Sequence, residues 1–169
     1  MRYDMSEQLR AVRIGVALVL LCLAFGVAMG ISFGVNEDGY KIYIADTIAA
    51  HPDVHDASSN DKIWRYAQRA HFHATGISAF SLGLVILVAL SGMQAKYKTA
   101  SSILIGLGGL YPLAWFNMFL QAPSIGRDAA HHHYLTEMFT YIGVGGLLAG
   151  LFLLVANLFL GLFRDYSST

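Results

Sequence analysis

Apolar side chains gather into four runs along this chain, at 14–34, 70–92, 99–120 and 134–163, with polar stretches between them. A helix of about 20 apolar residues crosses the hydrocarbon of a bilayer, so each run predicts a membrane-spanning helix. The last run is the longest and has length to spare for tilt or protrusion. Only residues 93–98 separate the second and third runs, which makes those two an antiparallel hairpin. The first run holds 21 residues. That exceeds the roughly 7 to 15 of a signal-peptide core, so we read it as a retained helix.

The longest polar connection is 35–69. Within it Asn36-Glu37-Asp38-Gly39 reads as a turn and 40–50 as a short amphipathic helix at the interface. His51-Pro52-Asp53-Val54-His55-Asp56 breaks that helix, because proline forbids a regular helical presentation of its neighbours. Two histidines and two aspartates in six residues suggest metal chemistry, against the plainer reading of a solvated acidic loop. Ser58-Ser59-Asn60-Asp61 supplies N-cap residues and starts the second helix near Asp61.

Composition agrees with lipid as the solvent. Of 169 residues, 56% are hydrophobic and 13% charged, with a mean hydropathy of +0.52. The expected fold is therefore an all-α, integral membrane four-helix bundle in one domain. Formal net charge is zero with no basic block, which gives nucleic acid no purchase. Arg10, Arg13, Lys96 and Lys98 flank the spans on one side and favour N-in, C-in. The histidines then face outward, towards the periplasm of a bacterial inner membrane, and the 35–69 connection is extracytoplasmic. Cys22 stands alone, so no internal disulfide forms.

Small residues mark close packing. Cys22, Gly26, Gly30 and Gly34 recur every four residues on the first helix, a ridge for a neighbouring helix or for a second copy of the chain. On the fourth helix His133, Glu137, Thr140, Tyr141 and Val144 form one stripe, with His133 and Glu137 placed to touch. Gly143, Gly146, Gly150 and Asn157 form an opposite stripe that includes His132. Two stripes seeking burial imply protein on two sides, as in a homo-oligomer or a subunit of a larger membrane complex.

Seven histidines fall on one side of the predicted bundle, and ionisable groups near a membrane layer point to function. His71 and His73 lie about 200° apart on a helix and cannot share a target. His71 shares its face with Thr75, Ser78, Leu82, Val85 and Ala89 and is expected to point inward. His73 is expected near the interface or against a partner subunit. His71 with His131 or His133 could hold a haem b between helices two and four. Arg65, Arg69 and Arg127 would meet its propionates, and Asn117 would hydrogen-bond to the bound group or else join two helices. A bare iron, copper or zinc site of His71, His133 and Glu137 is the variant. Pro112 should kink the third helix and free the carbonyl near Gly108.

Arg69-Ala70-His71-Phe72-His73, followed by Gly76, resembles the histidine-bearing helix of haem-copper oxidase subunit I, nitric oxide reductase and membrane cytochromes b. The resemblance implies that His71 or His73 is an axial haem ligand. Four spans and a single dense histidine set depart from the oxidase pattern. Three functions stay open from the sequence: a haem- or metal-containing electron-transfer subunit, in one form facing quinol; a structural or assembly subunit with no cofactor; and a small ion or proton transporter using the Glu137 stripe.

Overall fold

A computed structural model describes residues 5–165. Among the described residues the regular structure is helical: α1 (Met5–Ala50), α2 (Ser59–Leu90), α3 (Ala95–Gly106), α4 (Tyr111–Ile125), α5 (Arg127–His131) and α6 (Tyr134–Leu160). A 3-10 turn at Leu107–Leu110 joins α3 to α4 as one rod. Four stretches are long and apolar enough to cross a membrane: Gln8–Ala50, Ser59–Leu90, Ala95–Ile125 and Tyr134–Leu160.

The connection expected over 35–69 is mostly helix. Asn36 leaves helical geometry (φ −146°, ψ 44°), yet the chain does not turn back; α1 kinks there and continues to Ala50. Local turn preference loses to burial. Beyond the kink Ile44 is buried with Ile63, Ala67, Phe119 and Ala122, and Tyr40 and Ile48 pack on that cluster. The true connection is 51–58, interrupted by one 3-10 turn at Pro52–Val54. Pro112 lies inside the third span, in the first turn of α4 directly after the 3-10 stretch, and the Gly108 carbonyl expected to be free accepts from the Tyr111 amide.

Two core clusters mark the two ends of the bundle. One joins Val12, Val85, Val88, Met93, Ile105 and Leu154, drawing on α1, α2, α3 and α6. Beside it residues 8–11 and 163–165 are tied to the α2–α3 turn and the first turn of α3. Gln94 N donates to Phe163 O (3.0 Å) and Asp165 N to Gly92 O (2.8 Å), while Thr99 Oγ1 donates to Ala11 O (2.8 Å) and Lys98 Nζ to Gln8 Oε1. The aromatic cluster around Ile44 lies at the opposite end, with the 51–58 connection and α5. At about 1.5 Å per residue, α2 is roughly 48 Å long, well over the roughly 30 Å of a hydrocarbon core.

The α3–α4 rod is the central element. It packs against α1 and α2 on one side and α6 on the other, and α6 makes little packing with α1 or α2. Contacts are close because glycines remove side chains where backbones meet. A Cβ on Gly143 would lie 2.7 Å from Tyr111 N, and one on Gly150 would lie 2.8 Å from Ser101 O. Only this glycine stripe of α6 is buried. The stripe through Tyr141 and Val144 is not, Tyr141 being 71% exposed. The two-sided burial expected for this helix is thus one-sided within the chain. The ridge on α1 also packs internally: Gly26 meets Ala74 and Thr75, Gly30 meets His71, and the Cys22 thiol donates to Ala74 O (3.6 Å), while Gly34 meets nothing.

Candidate functional site

The buried line of α2 runs through Ile63, Ala67, Ala70, Ala74, Ser78, Ser81, Val85 and Val88. His71 and His73 flank that line, one on each side, and both are half-buried. His71 turns to α1. Its Nδ1–H donates to Gly26 O at 2.8 Å, and its ring lies edge-on to Phe33 at 5.9 Å. His73 turns to α4 rather than to a partner subunit. Its Nδ1–H donates to Arg69 O (2.8 Å), and its ring stacks on Trp115 at 5.7 Å and meets Tyr111 edge-on at 5.2 Å. Because a carbonyl can only accept, both Nδ1 atoms carry a proton, and in the neutral ring Nε2 then keeps the lone pair.

His133 is bound differently. It is the N-cap of α6, where its Nδ1 accepts from the Leu135 amide (3.3 Å) and lies 3.4 Å from Asn117 Nδ2. An accepting Nδ1 puts the proton on Nε2, which leaves no lone pair for a metal while the cap stands. The contact foreseen between His133 and Glu137 is made by His132 instead: its Nδ1 lies 3.2 Å from Glu137 Oε1. Helical spacing favoured position 133, but residue 133 is outside the helix. Asn117 Nδ2 donates to Thr136 Oγ1 (2.8 Å), which donates to Ala130 O (2.8 Å). Asn117 therefore joins α4 to α6.

Between α4 and the start of α6 lies a cavity of about 160 Å³. Tyr111, Trp115 and Tyr141 give it aromatic walls, Ala114 and Met118 an apolar lining, and His131, His132, Glu137 and Thr140 a polar one. Trp115 is held from outside the cavity by Arg69, whose guanidinium carbon lies 4.7 Å from the ring centroid, and by the stacked His73. Its indole N–H is buried with no acceptor in the chain. Leaving such a group unpaired costs about 1–3 kcal/mol.

The arginines divide. Arg127 does not face a shared site but pairs with Asp56 (2.8 Å), and Arg65 is exposed on α2. His55 Nε2–H donates to Pro123 O (2.8 Å), and Val54 packs on Gly126, whose φ of +83° suits glycine. The 51–56 stretch is thus a largely exposed clasp on the α4–α5 turn. Hydrogen bonds from Ser58 first, then from Ser59, with the Arg127 charge beside them, hold the Asp56 carboxyl down to about 2.

No family model, curated protein or solved structure matches this chain. The site is therefore judged on its geometry. Among the described residues no cluster of three or more His, Cys, Asp or Glu side chains is placed to hold a metal ion, so the set His71, His133 and Glu137 is not assembled. The partners of His71 and His73 are carbonyls and aromatic rings. His131 and His132 adjoin each other (5.1 Å) at the cavity. Sequence reasoning gives Trp115 and Tyr111 no role at the site and places His132 only on the packing stripe of the fourth helix. The helical phase of Tyr111, Ala114, Trp115 and Met118, four residues on one face of α4, was the available signal.

Proposed function

We propose that this chain is a membrane-embedded subunit of an electron- and proton-transfer system, binding a small lipid-soluble molecule between its third and fourth spans. One observation carries the reading: an aromatic-walled cavity whose polar edge is a histidine–carboxylate pair. Intramembrane ionisable groups are expensive and concentrate where protons or substrates are handled. Pockets between helices of a bundle are a habitual place for such ligands. The carboxylate fixes the imidazole's tautomer and strengthens Nε2 as a proton acceptor. Thr140→Trp, which fills the cavity from its rim, tests the reading. Organic extraction and mass spectrometry of the purified wild type should yield a stoichiometric lipid-soluble compound that this variant lacks. Equal yields from both proteins would remove the proposal.

A haem or single-metal reading has one observation in its favour. His71 and His73 hold the tautomer in which Nε2 can ligate iron. A Soret band in the purified protein, lost in His71→Ala, would carry that reading, and colourless, metal-free protein would remove it.

A further inference from the structure

Opposite its buried line, α2 carries an exposed stripe that changes character along its length. Arg65, Arg69, Gly76, Phe80, Gly83 and Leu87 follow one another at intervals of three, four or seven, and all are exposed. At about 100° per residue they share an arc of roughly 60° around the helix. Arg69 is the last charged residue of α2, and the next Asp, Glu, Lys or Arg in the chain is Lys96. At about 1.5 Å per residue the uncharged stretch 70–90 covers roughly 30 Å, the thickness of a hydrocarbon core. A span seated on that stretch puts the Arg69 guanidinium at the depth of the lipid phosphates.

That guanidinium is positioned but not neutralised. Its carbon lies 4.7 Å from the Trp115 ring centroid, and Trp115 is flanked in turn by the rings of Tyr66 at 5.8 Å and His73 at 5.7 Å. A cation over an aromatic ring gives up none of its N–H donors to a hydrogen bond, so they stay available to an anion. Among the described residues no carboxylate pairs with Arg65 or Arg69. Beyond Arg69 the stripe is apolar and open. A Cβ added at Gly76 or at Gly83 would meet nothing within 4 Å, while Phe72 and Phe80 stand exposed beside these gaps.

We infer that Arg69 binds the phosphate of an anionic phospholipid, with Arg65 one turn away against the rest of the headgroup and an acyl chain lying along Gly76, Phe80 and Gly83. One molecule with a charged end and a long apolar end matches a stripe that is cationic over one stretch and apolar over the next. The planar fork of an arginine meets two phosphate oxygens at once. A zwitterionic lipid brings a cation of its own to the two arginines, so net charge favours the anionic one.

Native mass spectrometry of the whole chain in non-ionic detergent, titrated with dioleoyl phosphatidylglycerol or dioleoyl phosphatidylcholine, tests the site. One phosphatidylglycerol should bind at about a tenth of the concentration that phosphatidylcholine needs. Arg69→Gln should weaken phosphatidylglycerol about tenfold, the loss of a charge-assisted pair, with a thermal midpoint near wild type because the side chain is exposed. Arg69→Lys, which keeps the charge without the fork, should lose part of that affinity. Lys41→Gln removes the same charge at the same end of the bundle and should change little. Glycerol phosphate, which has the headgroup chemistry without the chains, should not compete at the concentration where phosphatidylglycerol saturates. Equal affinity for the two lipids would overturn the inference, and so would equal losses in Arg69→Gln and Lys41→Gln, which would leave only a general attraction of charge. Competition by glycerol phosphate at that concentration would overturn it in favour of a free phosphate. A wild-type dimer that takes up no lipid and that Arg69→Gln dissociates would overturn it in favour of a second copy of the chain on the stripe.

Discussion

His71 and Gly26 are joined by a 2.8 Å hydrogen bond from the imidazole Nδ1–H to the glycine carbonyl. One turn further along α1, Gly30 leaves the space the ring occupies: a Cβ there would lie 2.7 Å from His71 Cε1. The bond satisfies a polar ring at a helix contact where water is scarce, and the glycine makes it sterically possible. Gly30→Val should therefore displace His71 and lower stability by about 1–3 kcal/mol, the range for overpacking a close contact. Adding His71→Ala should recover part of that loss. Thermal unfolding in detergent for the two single variants and the double variant measures the coupling, and strictly additive losses would contradict the contact.

Asn117 is tied to Thr136 by a 2.8 Å hydrogen bond across the α4–α6 contact. Such bonds between membrane helices average about 0.6 kcal/mol and reach about 1.7. Asn117→Ala should lose an amount in the upper part of that range, because Thr136 is buried and would lack its donor. Thr136→Ala in the same background should cost little more. A double-mutant cycle of unfolding midpoints reads the difference.

The Asp56 carboxyl gives the clasp a pH dependence of definite sign. Its pKa in the fold is about 2, against an ordinary value of 3.8, so ionisation favours the docked state. That contribution is complete above the ordinary value and is lost as pH falls through about 2. A carbon NMR titration of the Asp56 side chain should give the low midpoint in the wild type. Ser58→Ala, which removes the side-chain hydrogen bond that lowers it most, should raise that midpoint. Arg127→Ala should raise it less, since the exposed ion pair is screened by solvent.

Much of the fold was legible from hydrocarbon length alone. Four runs of apolar residues gave four long helices, and 93–98 gave the tight α2–α3 turn. What failed were inferences that needed a neighbour. Asn36 to Gly39 carries turn residues, but Tyr40, Ile44 and Ile48 have a core to join only once α2 and α4 are in place. The question of which α2 histidine points inward assumed one inward face. The buried line passes through Ala70 and Ala74 between them, and each ring finds its own neighbouring helix. His133 was paired with Glu137 by helical spacing, yet it caps the helix, and the capping geometry hands Glu137 to His132.

The glycines of α6 separate packing against the rod from packing against anything else. A Cβ on Gly150 would lie 2.8 Å from Ile105 N and from Ser101 O, and Ser101 Oγ donates to the Gly150 carbonyl at 2.9 Å. Backbone atoms of α3 cannot move aside as a flexible side chain can, so Gly150→Val should push the two helices apart and break that bond. A loss of about 1–3 kcal/mol is expected from overpacking, with the lost hydrogen bond adding about 0.5–1.5. Gly145 is on the same helix and has nothing within 4 Å of its Cβ position. Gly145→Val removes a flexible glycine from a helix without meeting an obstacle and should leave the unfolding midpoint of the purified chain at or slightly above wild type. Comparable losses in the two variants, measured in the same detergent, would show that α6 is packed on a second side and that one chain alone does not complete its surroundings.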